Sequence, residues 1–449
     1  MATSSISGLV SGLDTATIID QLMQLEAAPQ DRLKTQQATE KSILSALQSV
    51  NTDISLVGSR AETLAKASTW QTLKGSSTST ALSATVGDGA EAGSFTVTVD
   101  RVAVAHQLGF TQSAALGDVV ASSSVVRLTG NDGTVHDIST GGGTLKEMVS
   151  AINASSSDTG VRATAVRVAD GSYRLLVQAT TTGADSRFTL TNQDGSALLG
   201  GATVQQGEDA QIDLGLGITA TSATNTFQDL VPGVTLTIGA TTAVGTSSTI
   251  TVARDSAGVK SQVKALVDQV NSLLTSLDGK TAGATGTAAA GVLVGDSVAR
   301  GLRDTLANTI FGSGTTSMAA YGLQTDRFGK LVFDGDAFDK AYAADPAATA
   351  AAFTTGATPA QNGWAARVAA VAKGASDSVT GTITTAINGR NTTIDRLQDS
   401  IDDWDLRLEM RRTTLNNQYT ALETALSTLK SQGDWLAGQI ASLSSGSSS

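Results

Sequence analysis

Apolar positions between Asn391 and Ile440 recur in steps of three and four: Ile394, Leu397, Ile401, Trp404, Leu408 and Leu415, then Tyr419, Leu422, Leu426, Leu429, Leu436 and Ile440. The spacing predicts one amphipathic helix whose apolar seam is narrow enough for coiled-coil packing. At about 1.5 Å per residue such a rod runs for roughly 75 Å, longer than a typical domain is wide. A single helix cannot bury that stripe alone. The other end of the chain offers a partner, because Leu47, Val50, Ile54, Val57, Ala61 and Leu64 repeat the same steps. Ahead of them Ile18, Ile19, Leu22 and Leu25 form a helical face behind Asp14, a predicted N-cap. Pro29 is expected to break or kink the helix there. The two seams are expected to pack antiparallel or nearly so.

From Trp70 the pattern shortens to alternation. Phe95, Val97 and Val99 alternate with Thr96, Thr98 and Asp100, a half-buried strand that Val102 and Val104 extend. Further strands are predicted at 123–129, 134–138, 161–168, 173–179, 186–191, 234–239 and 248–253. Asn131-Asp132-Gly133, Asp170-Gly171 and Asp194-Gly195 supply turns, and Asp170-Gly171 predicts a hairpin. Thr144 and Glu147 form a capping box for a short helix to Ile152. From Ser256 helical spacing returns with Val259, Val263, Leu266, Val267, Val270 and Leu274. A Gly/Ala/Thr-rich loop at 279–291, a helix at 297–310, a hairpin around Asp326–Gly329 and short helices at 336–353 follow. Residues 364–390 read as weakly helical, and the terminal SSGSSS as disordered.

Composition narrows what such a chain does. Its 449 residues suffice for roughly three domains. With 40% hydrophobic residues and a mean hydropathy of +0.04 it can build cores. Only 16% are charged and 4% aromatic, which leaves a hydroxyl-rich surface suited to packing in an assembly. The net charge of −11 argues against a nucleic-acid partner, since phosphate neutralisation needs clustered Lys and Arg. No cysteine is present, so disulfides and thiolate chemistry are excluded. The opening MATSSISGLV lacks the basic and apolar regions of a Sec signal, and no apolar run reaches the length of a membrane span.

Candidate chemistry is sparse. His106 and His136 stand in strand or hairpin context with no second ligand beside them and read as structural. Asp334-Gly-Asp336-Ala-Phe-Asp339 lacks calcium-loop spacing and reads as a turn and helix cap. Gly141-Gly142-Gly143-Thr144 precedes a helix, but no Gly-Lys-Thr/Ser follows. There is no Gly-x-Ser-x-Gly elbow. Two sequons, at Asn153 and Asn391, occur at about chance frequency for a Thr-rich chain. Catalytic, cofactor and metal residues are therefore not assigned.

The apolar stripes carry the expectation instead. Leu47, Val50, Ile54, Val57 and Leu64 are expected to pack within the subunit on Ile394, Leu397, Ile401, Trp404 and Leu408. Apart from each other, segments 1–28 and 416–440 have no apolar surface in the chain to cover them. Ile18, Leu22, Leu25, Leu415, Tyr419, Leu422, Leu426, Leu429, Trp435 and Leu436 are therefore expected to be contacts between subunits. The bland alternative is an ordinary bundle inside one chain.

Several segments in this order resemble the flagellar filament cap family, also called hook-associated protein 2. Ile6-Ser-Gly-Leu-Val-Ser-Gly-Leu-Asp14, with Ile19, Leu22, Glu26 and Pro29, looks like its opening signature. Trp70-Gln-Thr-Leu73 with Ala81-Leu-Ser-Ala84 resembles the entry to a head module, and Gly207-Glu-Asp-Ala210 with Asn225-Thr-Phe-Gln-Asp-Leu-Val-Pro-Gly-Val-Thr-Leu236 its close. Gly295-Asp-Ser297, Gly322-Leu323, Gly329-Lys-Leu-Val-Phe-Asp334, Asp345-Pro346 and Phe353 are similar to the stem, and Leu415-Asn-Asn-Gln-Tyr-Thr-Ala-Leu-Glu423 with Trp435-Leu436 to the tail.

The resemblance implies an α+β multidomain protein: long terminal helices forming a coiled-coil-like leg and helical stem, with two nested β-rich head modules. The expected division is a leg at 1–40 and 415–449, a stem at 41–70 and 257–414, a first head module at 71–112 and 200–256, and a second at 113–199. It implies a ring homo-oligomer, with a pentamer as the first expectation, at the distal tip of the bacterial flagellum. There it would retain exported flagellin and promote its folding and polymerisation. Implied partners are flagellin, the hook–filament junction proteins and a flagellar export chaperone at the C-terminal helix. Export would use the flagellar apparatus without a Sec signal. It implies no enzyme and no cofactor. The competing class is a surface adhesin or tail-fibre-like protein, which would usually carry a Sec signal and an anchor.

Overall fold

The structure, a computed structural model, describes residues 14–312 and 317–445. The opening Ile6 motif and the last four residues of the Ser-rich tail lie outside the described residues. Two compact units divide the chain, Met1–Thr69 with Ser256–Ser449 and Trp70–Asp255.

The first unit is built on two long helices. Thr15–Ala65 has 51 residues, and Thr382–Ser445 has 64, about 95 Å of rod. Asp14 starts the first of them: its Oδ1 accepts from the Thr17 amide at 3.1 Å and its Oδ2 from the Thr17 hydroxyl at 2.6 Å. The expected break at Pro29 does not occur, and the helix runs through it. Pro29 withholds a donor from the carbonyl four residues back, that of Leu25. Leu25 lies on the exposed side, where water can take the freed carbonyl. The following turns are held from the neighbouring helix.

Between Ala46 and Ala65 the first helix buries a complete face, with Leu47, Val50, Ile54, Val57, Ala61 and Leu64 shut off from solvent. Three helices cover it: Ser256–Thr281, Trp364–Ser376 and the start of Thr382–Ser445. Gly58 marks the closest approach, since a Cβ there would stand 3.0 Å from the Cβ of Ala372. The segment read as weakly helical is thus a core helix followed by a turn and the C-terminal helix. Trp364 opens it, fully buried, its Nε1 donating to the Thr309 hydroxyl at 3.3 Å. Phe333, Phe338, Phe353 and Trp364 then stack edge to face in succession, with centroids 5.6, 6.1 and 6.1 Å apart. The turn is closed by Asp377, whose Oδ1 accepts from the amides of Val379 and Thr380. The C-terminal helix therefore begins nine residues before Asn391, at Thr382. Helix Ser297–Asn308, the hairpin Leu323–Thr325 with Leu331–Phe333, and the Asp334 cap all form as expected.

The second unit holds two β-rich cores. One joins a five-stranded sheet, in the order Leu73–Ser77, Ser247–Arg254, Gly93–Arg101, Ala210–Asp213, Thr219–Ser222, to a three-stranded sheet, Thr226–Val231, Val234–Ile238, Leu82–Val86. Val97, Val99, Ile212, Phe227, Leu236 and Ile250 fill it. The strand ends at Arg101 and does not extend through Val104, because Asn225 Oδ1 takes the Ala103 amide at 2.7 Å and turns the chain.

The other core lies under a four-stranded sheet, Ala202–Gln205, Ala105–Ala114, Ser172–Thr182, Val161–Ala169, and a three-stranded sheet, Val135–Ser139, Val125–Gly130, Phe188–Asn192. Leu108, Phe110, Val126, Leu128, Leu175 and Val177 fill it with Met148 and Ile152 of helix Leu145–Ala154. That helix carries the full capping box between Thr144 and Glu147. The hairpin at Asp170-Gly171 forms, pairing Ala169 with Ser172, and Gly171 supplies the positive φ the turn requires.

Candidate functional site

No cluster of three metal-ligating side chains exists among the described residues, and none of their helices is long and apolar enough to cross a membrane. His106 is buried. Its Nδ1 accepts from the Gly207 amide at 3.3 Å, and its ring meets Phe188 edge to face at 4.9 Å. Burial holds its pKa below the ordinary 6.5. Asn153 uses both ends of its amide on Ala163, each at 2.9 Å, so it ties helix to strand. Asp334 caps its helix. These groups hold structure.

The two terminal helices form the most distinctive surface. They run antiparallel, and polar bonds fix their register. Gln37 Nε2 donates to Gln398 Oε1 at 2.8 Å. Gln30 Nε2 donates to the Ile401 carbonyl at 3.2 Å and to Asp405 Oδ1 at 2.5 Å. Lys34 and Lys41 reach back to the Oε1 atoms of Gln30 and Gln37, both at 3.0 Å. Arg390 pairs with Glu40 at 2.9 Å and with Asp296 at 3.6 Å, so it joins both long helices to the cap of Ser297–Asn308. Nearer the ends, Arg411 pairs with Glu26 and Arg412 with Asp20.

The predicted stem seam is unequal on its two sides. Leu47, Val50, Ile54, Val57 and Leu64 are fully buried, as is Ile401, while Ile394, Leu397, Trp404 and Leu408 are half-buried. The reason is the number of neighbours. Beyond about Glu40 the first helix has three helices around it, whereas residues 394–408 have one.

Among the proposed contact residues, Leu415 is buried within the chain at the level of Ile19, which is buried too. Thr15 is covered as well, because the antiparallel register carries the pair as far as Asp14. Ile18, Tyr419 and Leu426 are half-buried. Leu22, Leu25, Leu422, Leu429, Trp435 and Leu436 are exposed, with Leu429 at 63% and Trp435 at 65%. From Leu422 to Ile440 the C-terminal helix extends past the last described residue of its partner and presents an apolar stripe.

Apolar spacing alone does not reveal Gln30 and Gln37, both buried in the seam. A signal is present nonetheless: two Gln seven residues apart, each with Lys four residues later. That is a heptad-spaced polar ladder, a known device for fixing register.

Comparison with known proteins places these surfaces in context. Residues 207–431 match the family described as Flagellar hook-associated protein 2 C-terminus, and residues 11–106 its N-terminus. Residues 126–181 match the Flagellin hook IN motif. The chain is 26% identical to Flagellar hook-associated protein 2 of Escherichia coli, covering 98% of each chain. It is 26% identical to the B-type flagellar hook-associated protein 2 of Pseudomonas aeruginosa, covering 96% of this chain and 95% of that one. The crystal structure of the flagellar cap protein FliD D1-D2-D3 domains from Escherichia coli is similar at a TM-score of 0.53 and 25% identity, covering 77% of this chain and 99% of that one.

Proposed function

Since the chain belongs to the flagellar hook-associated protein 2 family, we propose that it caps the flagellar filament. It sits at the distal tip, retains exported flagellin and promotes its folding and polymerisation. The observation that carries this reading in the molecule is the extended C-terminal helix, which leaves Leu422, Leu429, Trp435 and Leu436 exposed along one long rod. A stripe of that length is a contact surface waiting for a partner. The adhesin or tail-fibre reading is not favoured, because the flagellar relatives match from end to end.

In this reading the terminal helices beyond the polar ladder are the leg, the bundle around residues 41–69 and 256–414 is the stem, and the two β-rich cores are the head. The second core would span about 105–205, where its strands enter and leave. The cap works as a ring of this chain, with five copies as the starting expectation, and acts by assembly, not catalysis. Ile18, Leu22, Leu25, Tyr419, Leu422, Leu426, Leu429, Trp435 and Leu436 make the contacts between copies or with the filament. The same C-terminal stripe would be shielded before assembly by an export chaperone, and the junction proteins would receive the cap at the start of growth. Passage is through the flagellar export apparatus.

The test is a clean deletion. Cells lacking this chain are expected to shed unpolymerised flagellin into the medium and to carry no filaments. Normal filaments would sink the reading.

A further inference from the structure

The four-stranded sheet of the second core has an inner face, Val161, Ala163, Leu175, Val177 and Ala179, that is buried. Its outer face carries Arg162, Thr164 and Val166 on one strand, paired in register with Gln178, Leu176 and Arg174 on the next. Neither arginine forms an ion pair among the described residues, and no carboxylate stands on these six positions. Gly109 lies opposite Leu176 on the following strand and adds no side chain, so the face is hollowed there. Val166 is 43% exposed beside Arg174. An acid-free, two-arginine face is unusual on a chain of net charge −11.

The same core holds a complementary surface beside this face, the two meeting at Ala179. A cleft of 720 Å³ is lined by Asp132, Asp158 and Asp185, with Leu128, Val161 and Phe188 toward the core side. Asp132 accepts from the Thr134 amide and hydroxyl at 2.9 and 2.7 Å, with His136 in the same cleft, while Asp158 and Asp185 form no ion pair among the described residues. Arg187, in the same cleft, spends its Nε on the Gly207 carbonyl at 2.9 Å. Two adjoining patches of opposite charge on one module let the face of one copy meet the cleft of another.

We propose that the outer face of this sheet docks into the Asp132–Asp158–Asp185 cleft of a second copy of this chain. The proposal rests on the reading that the chain assembles with itself. Arg162 and Arg174 enter the cleft, and Leu176 and Val166 supply the apolar contact between them. Charge decides the partner: a second copy brings the acids that the first copy's face lacks, and like faces repel.

Sedimentation of the purified full chain tests it. At low ionic strength the wild type is expected to self-associate, and salt to weaken that association. Arg162→Glu with Arg174→Glu, and separately Asp158→Arg with Asp185→Arg, are each expected to weaken it at least about tenfold. An equimolar mixture of the two variants is expected to associate, since each face then meets a cleft of opposite charge, and so is the four-site variant. All four positions are on the surface, so melting temperatures should match wild type, and Arg162→Gln with Arg174→Gln repeats the loss without charge reversal. Wild type that stays monomeric, reversals that associate normally, or a four-site variant that stays dissociated would each overturn the proposal. Flagellin retention in cells separates the two readings. Lost association with normal retention overturns the importance of this surface and leaves the cap standing. Filaments in the deletion strain would remove the cap and leave the sedimentation result untouched.

Discussion

Gln37 and Gln398 meet amide to amide, at 2.8 Å, across the antiparallel pair of terminal helices. Seven residues toward the N-terminus, Gln30 repeats the contact on Asp405. A seam built this way gives up apolar burial for direction. A slip of one turn would take both amides from their partners and leave them buried unpaired.

The Gln30–Asp405 bond should therefore show measurable coupling. In a double-mutant cycle of Gln30→Ala and Asp405→Ala, the coupling energy is expected at about 1 kcal/mol or more, since one partner is charged and the site is partly buried. Thermal or denaturant unfolding of the four proteins gives the value. A coupling near zero would reduce the ladder to incidental contacts.

Gly58 fixes the crossing with helix Trp364–Ser376. A valine there would push its Cβ to 3.0 Å from that of Ala372 and add two methyl groups to a filled core. Gly58→Val is expected to destabilise the first unit by about 2 kcal/mol, although Gly is the poorer helix former. An unchanged or raised melting temperature would mean that the two helices can move apart.

His106 gives the second unit a defined sensitivity to acid. Burial lowers its pKa in the folded chain below the ordinary 6.5. The unfolded chain thus binds the proton first as pH drops. Stability is complete above pH 6.5 and is lost as pH falls from there through the folded pKa. The capping and paired carboxylates Asp132, Asp137, Glu147 and Asp194, whose folded pKa values are lowered mainly by side-chain hydrogen bonds, lose their contribution only in a lower window, below the ordinary carboxylate range. His106→Phe is expected to flatten the melting temperature just below pH 6.5 and to leave the lower window unchanged. An identical profile in the variant would show that another group is responsible.

How far the sequence spoke depended on the kind of signal. Where a local group satisfies a backbone end, as at Asp14, Thr144 with Glu147, and Asp334, the sequence spacing was sufficient. The long-helix period was equally plain. Strands such as Leu82–Val86 and Thr219–Ser222 escaped because Ser, Thr and Ala give little contrast between faces, and their pairing is decided by distant strands. Pro29 misled because its local cost was outweighed by bonds from a helix some 370 residues away in sequence. Leu415 misled because apolar spacing says that a residue is covered but not by which chain. The exposed stripe of the C-terminal helix was legible in the sequence. The polar ladder that sets where the stripe begins was not read from it.

The central claim is that this stripe makes the cap's contacts, and Leu429 lies in its middle, 63% exposed. Leu429→Asp should leave the purified chain melting at the wild-type temperature, whereas Val57→Asp, at a fully buried position, should lower that temperature, at a stability cost on the order of several kcal/mol. The decisive measurement is flagellin in the medium of a deletion strain carrying Leu429→Asp. The account predicts monomeric flagellin shed as in the uncomplemented deletion, with no swimming. Retained flagellin and normal swimming would contradict it.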